Sequence, residues 1–345
     1  MKRIFSFLFV ALVALTLAAC KKDGTFVVDI FIYEYSDTYI GTVRSAMNNL
    51  LKEHEGNIKY YFHDAKSSQE DQMTQIDNAI ARGTDLLVVN IVETESGQTV
   101  VNKAKENNLP VIFFNREVSD EVINSYDKAA FIGTDPDEAG YMQGQLIADI
   151  LLADYDKFDL NGDGKISYVM LRADLDNPEA NGRTKYSVLE ANRLLEEAGK
   201  PALKQIGEDY NASWQTSKAH EAMQNFLKSN PFNGDDPIEL VIANNDDMAL
   251  GAIQALNEVG YNTGKENDPW IPVVGVDATA TAQAAIKAGK MSGSVKQDAQ
   301  AMAECIVAFI LNTAEGKSYL DGLDYEFESG VDKVRIPYAI YTGDE

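Results

Sequence analysis

The sequence predicts an α/β protein made of two similar domains, each a parallel sheet flanked by helices. Short β-branched or aromatic runs alternate with stretches whose apolar residues recur at helical spacing, as strands joined by crossover helices do. That rhythm runs through the chain twice. A length of 345 residues, 45% of them apolar, suffices for two ordinary cores.

Taken in order, Met1-Lys2-Arg3 gives a positive start and Ile4 to Ala19 is apolar apart from Ser6 and Thr16. That run is shorter than the roughly 20 residues a bilayer core requires, so residues 1–20 read as a secretory leader. It stops at Leu17-Ala18-Ala19-Cys20, which resembles the bacterial lipobox, so Cys20 is expected to be acylated and to become the mature N-terminus. Residues 21–24 form a short polar tether. The expected location is extracytoplasmic, lipid-anchored to a bacterial membrane, in a periplasm or at the cell surface.

Strands are then expected at Phe26 to Ile32, Lys59 to Phe62, Leu86 to Asn90, Val111 to Phe114 and Ala130 to Ile132. Between them, Ile40, Val43, Met47, Leu50 and Leu51, and later Met73, Ile76 and Ile80, recur at helical spacing. The second half repeats the pattern with strands at Ile166 to Leu171, Leu203 to Ile206, Glu239 to Ala243, Val273 to Val276 and Met291 to Val295. Ser68 and Asp246 stand where helices should begin, and Trp214 in a helix-like stretch from about Ser213. A net charge of -24 repels nucleic-acid phosphates and anionic headgroups, which leaves the lipid anchor as the only membrane contact. With Cys20 lipidated, Cys305 is the only other thiol, so no intramolecular disulfide is possible; its apolar helical setting reads as core. His54, His63 and His220 match no metal or triad spacing and read as surface or packing residues.

Polar residues suited to a hydroxylated ligand fall just past the carboxyl ends of the expected strands: Asp37, Asn115, Asn245, Asp277 and Gln297. That edge is where open α/β sheets bind ligands, and carboxylates and amides there can both accept from and donate to hydroxyls. Each of these residues, taken alone, could instead merely cap the following helix.

Five segments, in order, carry a family likeness: Phe113-Phe114-Asn115-Arg116-Glu117, Asn124-Ser125-Tyr126-Asp127-Lys128, Gly133-Thr134-Asp135, Val241-Ile242-Ala243-Asn244-Asn245-Asp246 and Gly275-Val276-Asp277-Ala278. On them the chain resembles the galactose/glucose-binding proteins of the periplasmic sugar-binding type, from about Phe26 to Tyr338. The resemblance implies two Rossmann-like lobes joined by three crossover strands, the type I periplasmic binding protein fold. It also implies a monomer that closes on a monosaccharide and delivers it to an ABC permease, with a chemoreceptor as a further partner. The implied layout gives residues 25–134 with about 297–332 to the N-terminal lobe. Residues 135–296 with about 333–345 form the C-terminal lobe.

Position by position, the resemblance assigns sugar contacts to Asp37, Tyr39, Asn115, Asn177, Glu179, Arg183, Trp214, Asn245, Asp277 and Gln297. Tyr39 and Trp214 would wall the apolar faces of a pyranose while the polar groups ring its edge. The departures bear on which sugar: Asn177 stands where the family usually has histidine, Glu179 where it has aspartate, Gln297 where it has asparagine, and Tyr39 where many relatives have phenylalanine. A galactose or glucose ligand is expected, with another aldose or a ketose as the alternative.

Asp159-Leu160-Asn161-Gly162-Asp163-Gly164-Lys165-Ile166-Ser167 reads as a calcium loop, with oxygen ligands at positions 1, 3 and 5, a glycine at 6 and a carbonyl at 7. Position 12 is the apolar Leu171, which excludes an EF-hand. The resembling family instead uses a nine-residue loop and a distant glutamate, here Glu239. A structural Ca2+ is therefore expected on Asp159, Asn161, Asp163, Lys165, Ser167 and Glu239, with Ser167 replacing the glutamine frequent there. Two rival classes are weighed. A sugar-responsive repressor would need a basic helix-turn-helix before Phe26, where a leader stands. A glycoside-processing enzyme could use two of Asp37, Glu179 and Asp277, but the binding family already accounts for those positions.

Overall fold

The computed structural model describes residues 24–343; the leader, Cys20 with its expected acylation, and residues 21–23 lie outside them. The elements run β1 (Phe26–Ile32), α1 (Thr38–Lys52), β2 (Ile58–Asp64), α2 (Gln69–Arg82), β3 (Leu86–Val89), α3 (Gly97–Glu106), β4 (Val111–Phe114), α4 (Asp120–Asn124) and β5 (Ala129–Gly133). There follow α5 (Pro136–Ala153), α6 (Tyr155–Phe158), β6 (Ser167–Arg172), α7 (Pro178–Glu197), β7 (Lys204–Gln205), β8 (Tyr210–Asn211) and α8 (Thr216–Ser229). Next come β9 (Leu240–Ala243), α9 (Asp246–Glu258), β10 (Val273–Asp277), α10 (Ala280–Lys287), β11 (Gly293–Gln297), α11 (Ala299–Ala314), β12 (Lys333–Arg335) and β13 (Tyr338–Tyr341).

Two sheets result. One has the order β12-β5-β4-β3-β1-β2, the other β13-β11-β10-β9-β6-β7 with β8 also on β6. All pairings are parallel except β11 with β13. Parallel sheets are covered on both faces, which explains runs such as Leu86–Val89 and Val111–Phe114 that are buried at every position. In the first lobe α1 and α11 cover one face, and α2 and α3 the other. In the second, α8, α9 and α10 pack on one face, and α5, α6 and α7 on the other.

The chain passes between lobes at 134–135, 297–298 and 336–337. The last passage differs from the expected boundary near 333: Lys333, Val334 and Arg335 pair with Phe131, Ile132 and Gly133 in the first sheet. Lys-Val-Arg does not read as a core strand, yet Lys333 is fully buried because its ammonium lies 2.6 Å from both Glu117 and Asp120. Strands β8, β12 and β13, two to four residues long, are not among the expected ones; β12 and β13 stand at sheet edges and β8 lies off the main path, so none shows the unbroken apolar run of a central strand.

Two close approaches place the site. A Cβ on Gly182 would sit 2.7 Å from the Pro136 carbonyl oxygen, and one on Gly140 would sit 2.6 Å from that of Gly182. Only bare backbone lets α7 approach α5 this closely, immediately beside Arg183. A Cβ on Gly275 would likewise meet Asp246 Oδ1 at 2.5 Å. Cys305 is buried in the core of the first lobe, and burial pushes its thiol up to about 12. His63 stacks on Phe31 and lies 2.6 Å from Asp29 Oδ1, while His220 lies 2.8 Å from Glu258 Oε1, so both are packing or surface residues.

Candidate ligand cleft

All ten side chains read from the sequence as sugar contacts line one cavity between the lobes. Asp37 and Tyr39 follow β1 and Asn115 follows β4. Asn177, Glu179 and Arg183 come from the start of α7, Trp214 from the turn before α8, Asn245 from the end of β9, Asp277 from the end of β10 and Gln297 from the end of β11. About 380 Å³ of space lies among these side chains, the opening to solvent included. The lobes touch at its mouth, where Thr38 Oγ1 donates to Asp247 Oδ2 at 2.7 Å.

Capping and cavity lining turn out to be compatible. Asp37, Asn177 and Asn245 cap α1, α7 and α9, each accepting one amide, from Ile40 at 2.8 Å, Ala180 at 2.9 Å and Met248 at 3.0 Å, and each still reaches the cavity. α9 begins at Asp246, as its place after the strand leads one to expect, and Asn245 is its cap. Asp246 is fully buried, accepting from the Thr279 amide at 2.7 Å and the Ser294 hydroxyl at 2.6 Å. Trp214 is not helical: Ser213 and Trp214 have φ of 47° and 63°, and α8 starts only at Thr216. The helix expected from about Ser213 thus starts at Thr216, and Trp214 sits in the turn before it. Asn115 at φ 61° and Asp277 at φ 111° share the positive-φ condition. Backbone of this kind costs about 1–3 kcal/mol per residue and gathers at functional sites.

The polar groups are unevenly satisfied. Arg183 is buried; its Nη1 donates to the Asn244 carbonyl at 2.9 Å and lies 3.7 Å from Asp277 Oδ1, and its Nη2 donates to Gln297 Oε1 at 3.2 Å and Tyr338 Oη at 3.1 Å. Among the described residues its Nε has no hydrogen-bond partner, and neither does either oxygen of the buried Glu179. Burial raises the Glu179 carboxyl above its ordinary range. Burial also raises Asp277 strongly; Arg183 opposes that shift, while Asp246, Asp37 and Asp247 add to it. Buried unpaired donors and acceptors are costly, so this arrangement suits a ligand rich in hydroxyl groups.

Tyr39 lines the cavity, and its added hydroxyl donates to Met302 Sδ at 3.6 Å in the core. The guanidinium carbon of Arg183 lies 5.7 Å from the Trp214 ring centroid. Three lining residues were not assigned from the sequence: Tyr33, Ile40 and Arg116. Tyr33 donates to Asp37 Oδ2 at 2.6 Å and lies under Arg116, whose guanidinium carbon is 4.5 Å from the ring centroid. Their signal was available, since Tyr33 directly follows β1 and Arg116 directly follows Asn115.

The loop from Asp159 to Ser167 carries two Asx turns, at Asn161 and Asp163, closed by a longer bond to Asp159. Asp159 Oδ2 accepts from the Gly164 amide at 2.8 Å, Asn161 Oδ1 from Asp163 at 3.0 Å, and Asp163 Oδ1 from Lys165 at 2.9 Å. Glu239 reaches this loop, as expected, but both its oxygens accept amides, from Leu160 at 2.6 Å and Ser167 at 2.8 Å. The Ser167 hydroxyl donates to Pro237 O and to Glu239. Among the described residues no three His, Cys, Asp or Glu side chains gather as a metal-holding group. Asp159 Oδ1 is nevertheless buried without a partner among the described residues, and carboxylate, amide and carbonyl oxygens, the kinds that Asp159, Asn161, Asp163 and Lys165 carry, are the donors Ca2+ prefers.

Residues 28–318 match the family described as a periplasmic binding protein domain. The chain is 34% identical over 331 residues to the D-galactose/methyl-galactoside binding periplasmic protein MglB of Haemophilus influenzae, covering 95% of this chain and 94% of that one. It is 26% identical to the D-xylose-binding periplasmic protein of Escherichia coli, over 75% and 69% of the two chains. Among solved structures, an ABC transporter solute binding protein from Bacillus halodurans with bound myo-inositol superposes with a TM-score of 0.73 at 27% identity, covering 94% of this chain and 96% of that one. A D-allose-bound solute binding protein from Actinobacillus succinogenes gives the same score at 19% identity, a likeness of fold.

Proposed function

The chain belongs to the periplasmic binding protein domain family, and from that premise we propose that it captures a monosaccharide between its lobes and hands it to an ABC importer. The family consists of solute-binding proteins, and this chain is not an enzyme. One observation carries the sugar reading: ten side chains from both lobes meet in one cavity where Arg183 Nε and both Glu179 oxygens are buried without a partner among the described residues. Sugar hydroxyls supply acceptors to the first and donors to the second. A ligand that bridges the lobes favours the closed arrangement by its differential affinity.

Galactose or glucose is the first choice, supported by 34% identity to a galactose-binding relative. A second reading, another polyol such as a cyclitol or pentose, is favoured by the departures at Asn177, Glu179 and Gln297 and by the myo-inositol bound to a structural relative. Native mass spectrometry for a copurified ligand, followed by titration calorimetry with D-galactose, D-glucose, D-xylose and myo-inositol, tests both. Micromolar or tighter binding of a hexose supports the first reading, and binding of none of the four removes the sugar assignment.

We further propose that Asp159, Asn161, Asp163, Lys165, Ser167 and Glu239 hold a structural Ca2+, with Glu239 exchanging its amide bonds for the ion. Support comes from the Asx turns at Asn161 and Asp163 and the orphaned Asp159 oxygen. Acylation at Cys20 would anchor the protein outside the cytoplasm, as the lipobox resemblance implies. A Cys20→Ser variant that stays in the membrane fraction would refute this.

A further inference from the structure

Each of the three passages between the lobes contributes one buried side chain to a closed ring of hydrogen bonds with Arg183. Thr134 lies between β5 and α5, Gln297 ends β11, and Tyr338 begins β13. Arg183 Nη2 donates to Gln297 Oε1 at 3.2 Å, Gln297 Nε2 donates to Thr134 Oγ1 at 3.3 Å, Thr134 Oγ1 and Tyr338 Oη share a proton at 2.7 Å, and Arg183 Nη2 donates to Tyr338 Oη at 3.1 Å. All four side chains are at least 95% buried. The Thr134 carbonyl is held in addition by Arg335 Nη1 at 2.7 Å.

We infer that Thr134 and Tyr338 are positioning residues that fix the Arg183 fork from the hinge, so that ligand contact by Arg183 and bending of the passages are one coupled event. The inference rests on reading the cavity as the ligand site. With Nη2 spent on the ring and one Nη1 hydrogen on the Asn244 carbonyl, Nε and the second Nη1 hydrogen are what the guanidinium has left for a ligand. A hinge motion that separated Thr134 from Tyr338 would open the ring and free the fork. Because a guanidinium is planar, rotating any one of its donors moves the rest.

The test uses the full mature chain. In ¹⁵N-arginine spectra of ligand-free protein, the Arg183 Nη2 hydrogens should exchange slowly, about tenfold faster in Tyr338→Phe and Thr134→Val, and again slowly in Thr134→Ser, which keeps the hydroxyl. Affinity for D-galactose, D-glucose or myo-inositol should fall about tenfold in Tyr338→Phe and be nearly unaffected by that change in an Arg183→Lys background. Unaltered Nη2 exchange in Tyr338→Phe overturns the inference, as does an equal affinity loss in both backgrounds. If the unaltered protein binds none of these sugars, the functional reading falls, and the exchange of Nη2 alone decides the inference.

Discussion

Replacing Asp246 by asparagine should stabilise the protein at alkaline pH and leave it nearly unchanged in acid. Asp246 is fully buried at the junction of β9 and α9, against the bare Cα of Gly275, and burial pushes its carboxyl from 3.8 up to about 7. A raised carboxyl pKa means that the folded state holds the proton more tightly than the unfolded chain. The contribution of Asp246 to stability is therefore greatest below about pH 4, falls as the pH rises towards 7, and levels off above that. Three units at about 1.4 kcal/mol each set an upper limit of about 4 kcal/mol. An asparagine keeps both contacts, its oxygen accepting the Thr279 amide and its Nδ2 donating to Ser294 Oγ. Turning the Ser294 hydroxyl costs about 1 kcal/mol, so a gain of about 3 kcal/mol at pH 8 remains. Urea unfolding of both proteins at pH 4.5 and pH 8 in the same salt measures it. A difference that does not grow with pH, or a variant less stable at both, would refute a neutral, buried Asp246.

Trp214→Ala should weaken ligand binding by about 2 kcal/mol, roughly 30-fold, and hardly change the melting temperature, because the indole is only partly buried. Calorimetry beside a thermal melt separates the two effects, and unchanged affinity would remove the stacking role. Gly275→Ala forces a methyl to within 2.5 Å of Asp246 Oδ1 and 2.8 Å of Met291 Cε, and a loss of about 2–3 kcal/mol is expected in urea. Chelation of Ca2+ should lower the melting temperature more than the ligand affinity, and Asp159→Ala should abolish that response. A melt indifferent to both EDTA and added Ca2+ would count against the metal loop.

Much of the architecture was legible because its signals are local. Leu86–Val89 and Val111–Phe114 are buried on both faces and read as unbroken apolar runs, and Val43 and Met47 mark the buried stripe of α1. The ten cavity residues were legible for a different reason. Asp37, Asn115, Asn245 and Asp277 each sit next to a strand end that the pattern had located, and family resemblance added Arg183 and Trp214. Tyr33 follows a strand end and Arg116 follows Asn115, but position alone does not say which way a Tyr or Arg side chain faces. The turn at Trp214 is not legible in sequence, because a positive φ at a non-glycine residue leaves no mark on the local pattern.

The sequence by itself determined that strands and helices alternate twice and which strand ends carry hydrogen-bonding side chains. Both follow from spacing along the chain. Only the tertiary structure decided that Lys333 is a core residue of the first sheet, that Asp246 is shut away beside Gly275, and that Thr134, Gln297 and Tyr338 close a ring around Arg183. These are contacts between residues up to about two hundred positions apart, fixed by the packing of two lobes, and no local pattern of polarity encodes which buried group will meet which partner.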